Sequence, residues 1–262
     1  EGKLQVWGPK LPGVDAAKIA ASGQDGLYHL EAFLPEDKGW TDVTLDDLKP
    51  GIEAFTGKHP NDKTAKTIAV TPTLAVFAKR LIDPPKVPPE LAYLSPIYVQ
   101  SWIADAGMRG KLMIEDKNFL ANGLRVVDVQ GKLVRALFER GVAIVPGSAS
   151  PNPWIFPGDG LIDELGMLAR AGIPKPAVLA LATSGAARAL GIEADRGTIE
   201  AGKIADLVVT KGDPSADLSA LHAPDFVFLR GRIIDRTEMD ALRKDLSDAQ
   251  KRVQAESFKA LA

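Results

Sequence analysis

The chain has no cysteine and only three histidines in 262 residues. The first absence excludes disulfides, thiolate metal sites and a cysteine nucleophile. The second restricts any imidazole chemistry to His29, His59 and His222. No apolar run approaches the ~18 residues of a membrane span, so no transmembrane segment is expected. An excess of charge of either sign is also missing. The 32 basic and 34 acidic residues leave a net charge of -2, which points to neither nucleic acid nor an anionic membrane as partner. Residue 1 is Glu and no signal-like segment follows. The sequence is therefore expected to begin mid-chain, with any targeting signal upstream.

What is present is ordinary for a globular protein: 45% apolar and 25% charged residues, in a chain long enough to bury one large core or a domain with a small satellite. Apolar patches alternate with segments of helical period, which argues for successive β-α units and a parallel sheet. Strands are expected at Lys3 to Trp7, Gln24 to Leu30 and Thr67 to Thr71, and at Val142 to Val145, where the residues suit a strand buried on both faces. A helix is expected from about Val14 to Ser22, ending at Gly23. Thr44 and Asp47 form a capping box for a helix that carries Leu45, Leu48, Ile52 and Phe55 on one face, although Pro50 interrupts the pattern. Asp83 to Pro96 holds five prolines and must be extended or turned. Such a loop after a strand can cover a substrate, though most are plain surface.

A strong helix follows from Asn122 to Arg140, with Leu133, Val134 and Leu137 inward, and two more run from about Leu161 to Ala171 and Ala177 to Leu190. Past Gly191 the pattern changes to short strands at Gly197 to Glu200, Ala205 to Thr210 and Phe226 to Ile234, the last broken at Arg230-Gly231. Thr237 and Asp240 read as a second capping box. The stripe Met239, Leu242, Leu246, Ala249 and Val253 then reads as a helix packed on its own protein, being too short for a coiled coil. About four β-α units, a strand module and a closing helix result, whereas a (β/α)8 barrel needs eight units.

The residues that could carry chemistry are few. His29, at a strand end, is either a packed neutral histidine or a ligand. His59 and His222 fall in loops. Asp159 and Asp163 lie one helical turn apart, as a metal pair would, but acids in a first turn are more often there for the helix dipole. Ser148 and Ser150 lack a nucleophile elbow. Trp154, Phe156, Tyr93 and Tyr98 could line a pocket mouth or simply pack.

The stretch from Ala182 to Pro214, ATSGAARALGIEADRGTIEAGKIADLVVTKGDP, resembles the C-terminal signature of the amidohydrolase superfamily, close to its imidazolonepropionase-like and dipeptidase-like branch. The resemblance extends from about Val6 to Asp235. VWGPKLPGVD is similar to the family's strand-5 pattern, GQDGLYHLEAF to strand 6, IAVTPTLAVF to strand 7 and GVAIVPGSASPNPW to strand 8. It implies an α/β fold: the second half of a TIM-like (β/α)8 barrel over residues 1–190, a small flanking β-module over 191–235, and a C-terminal helix over 236–262.

The resemblance also implies a function, metal-dependent hydrolysis of C–N bonds in small-molecule amides or dipeptides, with zinc or a similar divalent metal in intact relatives. Such a metal needs three or more ligands and an open position for water. The family ligands expected in this half are single histidines at strands 5 and 6 and an Asp at strand 8. His29 falls on the strand-6 metal position, but Pro9 stands at the strand-5 histidine and Ala149 at the aspartate. There is no Asp, Glu or His between Arg140 and Asp159 or between Gly2 and Leu11 to replace them. Ser148, Trp154 and Tyr98 are the expected substrate-pocket residues. Three outcomes follow: an enzyme completed by an N-terminal half, a non-catalytic homologue inactive alone and without bound metal, or a fragment that completes its barrel as a homo-oligomer. The second is the leading expectation.

Overall fold

The computed structural model describes residues 4–56, 68–81 and 89–260. Three short strands, β1 (Trp7–Pro9), β2 (Gly26–Tyr28) and β3 (Ala69–Thr71), form a parallel sheet in chain order. The 142–145 segment extends it through a bridge between Val70 and Ile144. There the Val70 N–H donates to the Ala143 carbonyl at 2.8 Å and the Val145 N–H to the Val70 carbonyl at 2.9 Å. The expected fourth strand is thus reduced to one bridge, and the first lies later than Lys3 to Trp7. Lys3 and Thr67 fall outside the described residues.

Parallel neighbours require crossovers, and helices supply them: α1 (Ala16–Ala21) and α2 (Leu45–Thr56) between β2 and its neighbours, then α3 (Leu74–Leu81), α4 (Pro96–Glu115) and α5 (Phe119–Glu139) after β3. Leu27, Val70 and Ile144, at matching register, are fully buried in one core with Ile19, Leu48, Ile52, Leu133, Val134 and Leu137 from the helices. On β1 and β2, Trp7 lies over Gly26, where a Cβ would come 2.0 Å from its ring. Its ring meets Tyr28 at 5.9 Å, and this aromatic pair stays partly exposed.

The capping box of α2 forms as expected: Thr44 N–H donates to Asp47 Oδ2 at 2.9 Å and Asp47 N–H to Thr44 Oγ1 at 3.4 Å. The helix runs through Pro50 without a break. Of the proline-rich segment, residues 83–88 lie outside the described residues. Pro89–Tyr93 is a 3-10 turn whose Leu91, with Leu94, is buried against Trp102. The twenty-residue α4 has no counterpart in the sequence reading.

After α5 come α6 (Asp159–Arg170), α7 (Lys175–Ala180), a π-helical turn (Leu181–Gly185) and α8 (Ala186–Leu190), which ends at Gly191 with φ 70°. A second, antiparallel sheet contains β4 (Leu207–Val209), β5 (Phe226–Leu229) and β6 (Arg232–Asp235), in that order. Arg230 and Gly231 make the β5–β6 turn, both with positive φ, as a tight hairpin requires. Gly197 to Glu200 is a bend running into irregular chain rather than a strand. The last helix, α9 (Arg236–Ala260), is capped by Asp235, whose Oδ1 accepts from the Glu238 N–H at 2.8 Å, and not by Thr237. It packs against the Pro89–Tyr93 turn and α4.

Candidate functional site at the carboxyl ends of the strands

A parallel sheet delivers the carboxyl ends of its strands to one rim, where ligands of α/β proteins bind. Here that rim carries Pro9 at the end of β1, His29 after β2, Thr73 after β3, and Gly147, Ser148 and Ala149 after the bridge segment. A Cβ at Gly147 would lie 2.5 Å from Thr71 Cγ2, so only glycine allows that approach. His29, Thr73 and Ala149 all adopt the left-handed backbone region, at φ 66°, 56° and 52°. For a side chain larger than hydrogen this costs roughly 1–2 kcal/mol each, and strain of this kind clusters at functional sites.

The His29 N–H donates to the Thr71 carbonyl at 2.9 Å, and its Nδ1 lies 2.6 Å from Thr73 Oγ1. The Thr73 hydroxyl in turn donates to the Pro72 carbonyl at 2.7 Å. Behind it, Glu164 of α6 is fully buried. Its Oε2 accepts the Ala75 N–H at 2.8 Å, and the N–H groups of Leu74 and Thr73 also point at the carboxyl group. Burial pushes its pKa up to about 7, while those backbone hydrogen bonds pull the other way. Among the described residues its Oε1 has no partner within hydrogen-bond geometry.

Neither Thr73 nor Glu164 was singled out from the sequence. One signal for Glu164 exists: it shares an i, i+4 stripe with the buried Gly160 and Leu168, and an acid on an apolar stripe must be satisfied inside.

The expected pocket residues occupy one neighbourhood but different surroundings. Ser148 Oγ accepts the Ser150 N–H at 3.2 Å. Trp154, 4% exposed, packs against Trp102 with the ring centroids 5.7 Å apart and the planes tilted by 49°, and directs Nε1 at Asp105 Oδ2, 3.4 Å away. Tyr98 sits in the first turn of α4, half-exposed, one turn before Trp102. Phe156 closes edge-on against Trp102 at 5.0 Å.

Other candidates lie apart from the rim. His222 pairs with Asp159 at 3.1 Å on the surface, and Asp163 with Lys79 at 3.0 Å. His59 lies outside the described residues. A hydrolytic metal needs at least three ligands, and among the described residues no three His, Asp or Glu side chains come close enough to hold one. The described residues do not fit a catalytic metal.

Residues 124–237 match the sequence model of the amidohydrolase family. The fold is similar to that of a bottromycin amidohydrolase, with a TM-score of 0.68 and 23% identity over 94% of this chain and 53% of that one. It is also similar to a Xaa-Pro dipeptidase, with a TM-score of 0.53 and 19% identity over 84% of this chain and 42% of that one. For molinate hydrolase the TM-score is 0.51, with 16% identity over 88% of this chain and 42% of that one. The chain thus spans about half the length of the solved structures it matches. No curated protein is a significant match. Residues 124–237 are thus similar to the amidohydrolase family model, and the fold as a whole is similar to that of solved amidohydrolase structures.

Proposed function

We propose that the chain supplies the second half of an amidohydrolase barrel in residues 1–190, with residues 191–235 as the flanking module and 236–262 as a covering helix, and that alone it is not a metal hydrolase. The observation that carries this is the composition of the rim. Pro9 ends β1, His29 follows β2 and Ala149 follows the bridge segment, and His29 is the one group among those three able to ligate. A completed barrel would act on a small amide or dipeptide, the class named by the Xaa-Pro dipeptidase among its structural relatives. Ser148, Trp154 and Tyr98 would line the substrate side of the rim.

Elemental analysis of the purified chain, with a dipeptide hydrolysis assay, tests this. Sub-stoichiometric zinc and no turnover are expected. Stoichiometric zinc, with hydrolysis abolished by His29→Ala, would sink it.

A second reading concerns assembly. Among the described residues β1 pairs only with β2, and the bridge segment only with β3, so two sheet edges are open. The Trp7–Tyr28 pair is partly exposed as well. Open edges and exposed aromatic surface invite pairing. The complement would be an N-terminal half barrel or a second copy. Light scattering separates these: a dimer supports self-completion, and a monomer with a well-ordered sheet rules it out.

A further inference from the structure

What His29 can do at the rim depends on which ring nitrogen holds the proton. A threonine hydroxyl has one proton to give. The Thr73 hydroxyl lies 2.7 Å from the Pro72 carbonyl, to which it donates, and 2.6 Å from His29 Nδ1. With its proton committed to a carbonyl that can only accept, the hydroxyl oxygen is left to receive a hydrogen bond from Nδ1–H. A neutral imidazole with Nδ1–H carries its lone pair on Nε2. Nε2 has no partner among the described residues.

Thr73 reaches this position through an unfavourable backbone. It is 2% exposed and β-branched, yet sits at φ 56°, where such residues are outliers. The carboxyl group of Glu164 gathers the N–H groups of Thr73, Leu74 and Ala75, fixing the turn that leads into α3.

We propose that Thr73 and Glu164 are positioning residues that hold His29 in its Nδ1–H tautomer and present Nε2 as an open acceptor for the N–H of a small amide. The proposal relies on the rim being the functional site only for what meets Nε2. The tautomer itself stands or falls independently of hydrolysis, zinc content or oligomeric state.

Long-range 1H–15N correlation of the 15N-labelled protein, at a pH where the ring is neutral, reads the tautomer directly. The expected pattern for His29 is Nδ1–H, and an Nε2–H pattern overturns the proposal. Thr73→Val should move the ring to Nε2–H, as Thr73→Ala should if the valine variant does not fold, while Thr73→Ser retains the native pattern. A native pattern in both hydroxyl-free variants overturns the role of Thr73. Glu164→Gln should erode the Nδ1–H preference, and an unchanged preference removes Glu164 from the relay. Leu168→Ala, in the core of the same helix, should lower stability and leave the tautomer untouched, which separates positioning from general loosening. Acetamide in large excess should shift the Nε2 resonance in the native protein and in Thr73→Ser. No shift in the native protein overturns the acceptor role.

Discussion

The rim of strand ends and the module that follows α8 differ in what their residues are for. In the module, the residues that make the Ala182 to Pro214 stretch distinctive all do structural work. Gly197 has φ 94°, and a Cβ there would lie 2.6 Å from Ala187 Cβ and 3.0 Å from Ser184 Cα, so the turn presses directly on the π-helical segment and α8. Lys203 Nζ donates to the Glu193 carbonyl at 2.9 Å and to Thr198 Oγ1 at 2.5 Å. Asp206 joins β4 to the hairpin by accepting from Arg196 Nε at 3.2 Å and from the Arg230 N–H at 2.8 Å. At the rim, by contrast, the backbone is strained at His29, Thr73 and Ala149, and among the described residues no three His, Asp or Glu side chains lie close enough to hold a metal. The match over residues 124–237 contains the whole module and stops short of His29. Scaffold can be kept independently of a site.

The comparison is broken most severely at Gly197. Valine there meets both a left-handed backbone and a filled space, which together cost about 4 kcal/mol. Chemical denaturation should show this loss. A variant within about 1 kcal/mol of the native protein would mean that the module is not held by this contact.

Glu164 tests the rim by pH. Its carboxyl keeps its proton up to about 7 in the folded protein, against 4.5 as the ordinary value. Below pH 4.5 both folded and unfolded chains are protonated and its contribution is complete. Between 4.5 and 7 the unfolded chain ionises first, so stability falls as pH rises, by about 3 kcal/mol in all. Urea titrations of the native protein and Glu164→Gln should therefore diverge with that sign and in that window. A difference that does not change with pH would mean that Glu164 is not held protonated.

Much of the scaffold was legible because its periodicity has a single cause. Leu133, Val134 and Leu137 marked the inner face of α5, the Thr44–Asp47 box marked the start of α2, and Arg230-Gly231 marked the hairpin turn. The α4 helix was not legible. Ile97, Ile103, Met108, Leu112 and Ile114 are all exposed, so its apolar residues surround the axis instead of forming a stripe, and Gly107 and Gly110 lie within it. A strand was expected at Gly197 to Glu200, yet Ile199 is 87% exposed and comes two residues after the left-handed Gly197. At the rim, His29 could be picked out because GQDGLYHLEAF resembles the family's strand-6 pattern and sets it at the histidine position. Thr73 and Glu164 could not, since a contact between residues 91 positions apart leaves no local pattern.

Ala149 sharpens the contrast on a smaller scale. It holds φ 52° without a glycine's freedom and without the local hydrogen bonding that eases Asn or Asp into that region. Glycine would relieve roughly 1–2 kcal/mol of strain and return about 0.5–1 kcal/mol in chain entropy. Ala149→Gly should thus stabilise the protein by about 0.5 kcal/mol. A loss of stability would show that the methyl group packs usefully at the rim.

The smallest effect is expected where the two regions meet. Asp159 opens α6 beneath the rim loop, His222 ends the 3-10 turn Leu218–His222 after β4, and their side chains pair at 3.1 Å while 45% and 43% exposed. The same turn buries Leu218 in the main core, with Leu221 packed against it. Apolar contact therefore already holds the turn against α6, and an exposed pair adds only about 0–0.5 kcal/mol. His222→Ala should leave the denaturation midpoint nearly unchanged. A clear loss of stability would instead make the His222–Asp159 pair the coupling between rim and module, and the two regions could then no longer be treated as separate in function.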